Sequence, residues 1–117
     1  MKREYYIQCG DREGISVVCE KGTWYNHIVA RHPEMQGCEA YVKAAIEFPH
    51  QIFQDRLNLN KKIIYQPFVL PKPFHTQYLR IAIEYRKNVF GKVKGYICTA
   101  FACKYKKEGD ILLWEKP

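Results

Sequence analysis

The sequence predicts an α+β domain, an antiparallel sheet with two N-terminal helices packed on one face. Three observations carry this. A helical pattern occupies residues 23–47, where apolar residues recur every three or four positions. Period-two alternation marks most of the later chain, most clearly over 77–86. The composition is that of a folded protein, with 47% hydrophobic and 26% charged residues. At 117 residues, there is chain enough for one core, so residues 1–117 are read as one domain.

Tyr5 to Cys9 and Gly14 to Glu20 read as two strands joined by the turn Gly10–Gly14. A first helix follows from Thr23, whose hydroxyl suits an N-cap, to the stop imposed by Pro33. Trp24 and Ile28 lie one turn apart, and Tyr25 and Val29 widen the stripe that would seat on a sheet. A second helix is expected from about Gln36 to Glu47, ended by Phe48-Pro49. Gln51–Gln54 and Lys61–Gln66 read as strands, and Pro67–Pro73 as a loop. In Gln77–Arg86, Leu79, Ile81, Ile83 and Tyr85 share one face, while Tyr78, Arg80, Ala82, Glu84 and Arg86 share the other. Lys92–Lys104 returns antiparallel, and Ile111–Trp114 is a last short strand.

Charge is unevenly spread. The net charge is +7, with residues 1–55 at −2 and residues 56–117 at +9. A basic C-terminal half suits a polyanion, nucleic acid ahead of membrane, because no basic amphipathic helix accompanies it. No apolar run approaches the ~20 residues of a membrane span, and the N-terminus lacks the apolar stretch of a signal peptide. The five cysteines form no Cys-x-x-Cys pair, and His27 and His32 are wrongly spaced for two ligands on one helical face. The expectation is a cytoplasmic protein with reduced thiols, no metal and no cofactor.

On the sheet face away from the helices, Tyr78 and Arg86 from one strand would meet Lys94, Tyr96 and Lys104 from the next. Interleaved cations and rings suit RNA, the cations meeting phosphates and the rings stacking on bases. Chemistry concentrates elsewhere, in His27, Arg31 and His32 at the end of the first helix. Histidine transfers protons near neutral pH and arginine grips phosphate through its planar fork.

Trp24-x-x-His27-Ile28, Arg31-His32-Pro33-Glu34, Ala45-Ile46-x-x-Pro49-x-x-Ile52, Tyr78-Leu79-Arg80-Ile81 and Ile97-Cys98-Thr99-Ala100-Phe101 follow one another in the chain. This progression resembles the phage-type branch of the barnase–EndoU–colicin–RelE nuclease superfamily, over residues 23–103. The resemblance implies N-terminal helices on a four- or five-stranded antiparallel sheet, and RNA cleavage without metal. It also implies a toxin or mobile-element effector, with tRNA or mRNA as target and an acidic antitoxin or immunity protein as partner. His32, His27, Arg31, Arg80 and Thr99 are then the candidate catalytic residues, with His32 preferred to His27 because a helix exit is more open than a helix flank.

Each has a structural alternative. His27 could bond within the core beside Trp24, His32 could serve as a helix C-cap, and Glu34 as a cap or salt-bridge partner. Thr99, in phase with Ile97 and Phe101, could face the helices. Without chemistry, the same basic face would serve a non-catalytic RNA-binding domain or a protein-interaction module.

Overall fold

The computed structural model describes residues 5–117. Seven strands form one sheet: β1 (Ile7–Gly10), β2 (Ser16–Cys19), β3 (Gln51–Gln54), β4 (Lys61–Pro67), β5 (Tyr78–Lys87), β6 (Val93–Cys103) and β7 (Ile111–Glu115). Their order across the sheet is β1-β2-β6-β5-β4-β3-β7. This corrects the expected four- or five-stranded antiparallel sheet. β2 runs parallel to β6, with Val17 opposite Gly95 and Val18 opposite Tyr96, so the sheet is mixed. β7 extends the other edge by pairing antiparallel to β3. Both additions depend on pairings between segments far apart in sequence, which local alternation does not encode.

The helical layer is thinner than expected. The helix begins at Lys21, with Glu20 at the N-cap, so Thr23 lies inside it. After α1 (Lys21–Thr23) the backbone is π-helical over Trp24–Val29. Pro33–Met35 form a single 3₁₀ turn. Gly37, at φ +79°, breaks the path before α2 (Glu39–Glu47), which is why this helix starts three residues later than its apolar spacing suggests. Trp24 and Ile28 do point into the core, as their spacing predicts.

The main core lies between these helices and one face of the sheet. Trp24, Ile28, Met35, Val42 and Ile46 pack on Val17, Ile64, Leu79, Ile81, Ile83 and Ile97. A smaller cluster of Ile63, Tyr65 and Ala82 occupies the opposite face. The faces of β5 are those its alternation predicts.

β6 differs. Ile97 opposes Ile83 and Thr99 opposes Ala82, so Cys98 is an extra residue, a β-bulge. Beyond it, Ala100 joins the helix-side core, while Thr99 pairs with Ala82 on the opposite face. The expectation that Thr99 keeps the phase of Ile97 fails for this reason.

Candidate functional site

The face of the sheet away from the helices carries two groups of functional side chains. The first is built where the turn after the helix meets the distal half of β6. Pro33 ends the helical segment, and His32 leaves the helical conformation there (φ −132°, ψ 78°). Glu34 then reaches across to β6, its carboxylate accepting the Ala102 backbone N–H at 3.1 Å. This bond ties the turn to the strand. It leaves the His32 ring stacked on Phe101, with centroids 4.7 Å apart and planes 25° from parallel.

Phe101 pairs with Arg80 across β5 and β6. The Arg80 guanidinium lies 5.3 Å from the centre of the same ring. His32 and Arg80, 48 positions apart in the sequence, therefore meet at one aromatic side chain. Arg80 Nε donates to the Tyr65 hydroxyl at 3.2 Å, and the Lys107 backbone N–H donates to the same oxygen at 2.9 Å. The Tyr65 oxygen accepts both bonds, so its own proton is used by neither. Thr99 lies two residues before Phe101 on β6, toward the middle of the same face.

Lys107 belongs to the connection from β6 to β7, which must cross the sheet because β7 pairs with β3. In crossing it sets Lys106 Nζ 5.0 Å from the Tyr78 ring. Beneath it lies a shallow cavity of about 260 Å³, bounded by Tyr65, Arg80, Phe101, Cys103, Tyr105 and Lys107. Burial raises the Cys103 thiol above its ordinary range, and the opposing pull of Arg80 is smaller, so Cys103 stays protonated at neutral pH. At the rim, Phe68 stacks on Tyr78 at 5.8 Å. Phe68 holds φ +58°, a left-handed conformation that costs a bulky residue about 1–3 kcal/mol, and its side chain is exposed.

The second group lies at the other end of β5 and β6. Arg86 sits 4.6 Å from the centre of the Tyr96 ring, and Lys94 sits 4.4 Å from that of Tyr5 while also donating to the Tyr5 hydroxyl at 3.0 Å. Arg86 is also ion-paired with Glu84 at 2.9 Å.

The structure thus brings His32 and Arg80 together, with Thr99 on the same strand as their shared ring. Tyr78 borders this group, whereas Arg86, Lys94 and Tyr96 form the second. Lys104 lies exposed just past the end of β6. His27 and Arg31 are exposed on the helical segment, so His27 is not a core histidine beside Trp24. Tyr65 is the residue that sequence reasoning missed. Both faces of β4 are apolar, and the ten positions between β4 and β5 hide the register that sets Tyr65 opposite Arg80.

Among the described residues, no group of three or more His, Cys, Asp or Glu side chains could hold a metal ion. No described helix is long and apolar enough to cross a membrane. Comparison with protein-family models, curated proteins and solved structures finds no match to this chain.

Proposed function

We propose that the chain is a ribonuclease that cleaves RNA by transesterification without metal, using the His32–Phe101–Arg80 cluster. The observation that carries the reading is the convergence of an imidazole and a guanidinium on one exposed-face ring, beside a hydroxyl whose proton is uncommitted. In this reading His32 takes the proton of a ribose 2′-OH, and the 2′-oxygen attacks the adjacent phosphorus. The bond to the 5′-oxygen breaks, leaving a 2′,3′-cyclic phosphate, and the departing 5′-oxygen takes a proton from water to become a 5′-OH, while His32 later gives its proton to solvent. Arg80 holds the phosphate oxygens as charge builds on them. The buried Tyr65 hydroxyl holds Arg80 in place from beneath, accepting its Nε–H. Thr99 lines the approach, and Phe68 and Tyr78 offer rings for neighbouring bases. His27 and Arg31, exposed on the helical segment, are left with no part in the chemistry.

The resemblance to the barnase–EndoU–colicin–RelE superfamily belongs to this proposal through its residues, not through the fold it implied. With it go a toxin or mobile-element role in the cytoplasm, tRNA or mRNA as target, and an acidic neutralising protein.

The test is incubation of the purified chain with total bacterial RNA in excess EDTA, with the products mapped at their ends. Discrete fragments ending in 2′,3′-cyclic phosphate, lost in both His32→Ala and Arg80→Ala, support the reading. Full cleavage by His32→Ala, with the unaltered chain active, overturns the assignment. A second reading, a non-catalytic RNA-binding domain, is favoured by the Arg86–Tyr96 and Lys94–Tyr5 pairs, which need no chemistry to hold a strand. Intact RNA with tight, salt-sensitive binding would select it.

A further inference from the structure

The hairpin joining β5 and β6 ends in a basic hollow that the cleavage chemistry does not use. A cavity of about 550 Å³ lies there, and Arg86, Lys87, Lys92 and Lys94 line it together with Gln8 and Ser16. Four cations thus face one hollow whose lining, among the described residues, holds no carboxylate. Glu84, paired with Arg86, is the acid on the neighbouring sheet position. The hairpin is held in shape before any ligand arrives. Asn88 accepts the Phe90 and Lys92 backbone N–H groups through its side chain, at 2.9 Å each, and its own N–H donates to the Lys92 carbonyl at 2.9 Å. Lys87 and Lys92 therefore flank a hydrogen-bonded turn, one on each arm. The apolar tip between them, Val89 and Phe90, is almost fully exposed.

Cations fixed around a concave polar surface bind phosphates, and a ring under a cation adds a stacking platform. The hollow shares its face with the His32 cluster. Arg80 and Arg86 lie on the same strand, about 20 Å apart at ~3.4 Å per residue. About six stacked nucleotides span that distance at ~3.4 Å each.

We propose that this hollow is a second phosphate-binding subsite that holds a flanking stretch of the same single RNA strand, so that the chain prefers substrates of about eight nucleotides or more. The proposal rests on the ribonuclease reading for the direction of the strand, and on the cavity for the binding. The interleaved Tyr96 ring and the neutral Gln8 and Ser16 favour a nucleic acid over an acidic protein.

The test uses fluorescence anisotropy with His32→Ala protein and labelled single-stranded RNA of 4 and 12 nucleotides at fixed salt; both lengths are chosen from the ~20 Å span. The expected result is at least tenfold tighter binding of the longer strand. In Lys87→Gln/Lys92→Gln, and separately in Arg86→Gln/Lys94→Gln, that ratio should fall severalfold. The slope of log affinity against log salt for the longer strand should drop by about two. Thermal unfolding of each variant checks the fold, and the hairpin pair, being exposed, serves if the second pair unfolds. An undiminished length ratio in the folded variants overturns the proposal. So does competition by polyglutamate as effective as that by RNA of equal charge, which would assign the hollow to an acidic protein. Length-dependent binding lost in the variants, with no cleavage by the unaltered chain, keeps the subsite and rejects the ribonuclease. Cleavage with no length preference does the reverse.

Discussion

Gly95→Ala is the substitution that probes the mixed sheet most directly. Gly95 is buried at the point where parallel β2 meets β6, opposite Val17. A Cβ placed there would stand 3.0 Å from a methyl of Ile83, 3.0 Å from a methyl of Val17 and 3.1 Å from the Tyr85 ring. These atoms come from the two strands that flank β6 and none is the free end of a flexible chain, so three packed side chains must each give by a few tenths of an ångström. Overpacking of this kind costs about 1–3 kcal/mol, and the entropy gained by replacing glycine returns at most about 1 kcal/mol. A net loss of about 1–2 kcal/mol follows, or roughly 4–8 °C in Tm for a chain of this size. Urea and thermal denaturation measure it. Val17→Ala removes one of the opposing methyls, so the double variant should be less destabilised than the two singles added together, by about 1 kcal/mol. An unchanged or raised midpoint in Gly95→Ala would mean that β2 does not lie against β6, and the parallel pairing would be wrong.

Further outcomes follow from particular contacts. Glu34→Ala should cost about 1–2 kcal/mol and reduce RNA cleavage by releasing the His32 turn, while Glu34→Gln, which keeps an acceptor for the Ala102 N–H, should retain most of both; denaturation and initial rates compare them. Arg80→Lys keeps the charge but loses the planar fork and the Nε bond to Tyr65, so cleavage should fall about 100-fold in rate assays, and equal activity would reject the phosphate role. Burial pushes the Cys9 and Cys19 thiols up to about 11 and about 12. Because the folded values lie above the unfolded value near ~9, their contribution is complete below that pH and is lost progressively as pH rises from there through the folded values. Each should subtract about 1 kcal/mol by pH ~10, and Cys19→Ala should flatten the fall in urea midpoint between pH ~8.5 and ~10.

The sequence showed most clearly what depends on neighbours a few residues apart. The alternation of Leu79, Ile81, Ile83 and Tyr85 set the faces of β5, and the spacing of Trp24 and Ile28 set the buried side of the helix. What it hid depends on long-range partners. Nothing in Ser16–Cys19 announces a parallel neighbour near residue 95, and nothing in Ile111–Glu115 announces pairing with β3. The π-helical backbone over Trp24–Val29 was not legible either, because its buried pair Trp24 and Ile28 keeps the spacing of an α-helix. For the candidate site, the residue types at His32 and Arg80 suggested proton transfer and phosphate binding. The partners around them were not legible. Phe101 as the shared ring, Tyr65 as the acceptor and Glu34 as the strap to Ala102 all require the strand register to be known.

The bulge at Cys98 makes the length of β6 as informative as its composition. On either side of that one residue the strand obeys opposite parities. Before it, odd-numbered Ile97 joins the helix-side core; after it, even-numbered Ala100 does. A chain lacking Cys98 would let Thr99 follow Ile97 directly and pair with Ala82 in unbroken alternation, so Thr99 and Phe101 would keep the open face and Ala100 the core. His32 would keep its ring, and only the bulge would be lost. The bulge is what this full-length strand must keep: with Cys98 drawn into regular pairing, every later residue would change face, and Phe101 would turn away from His32.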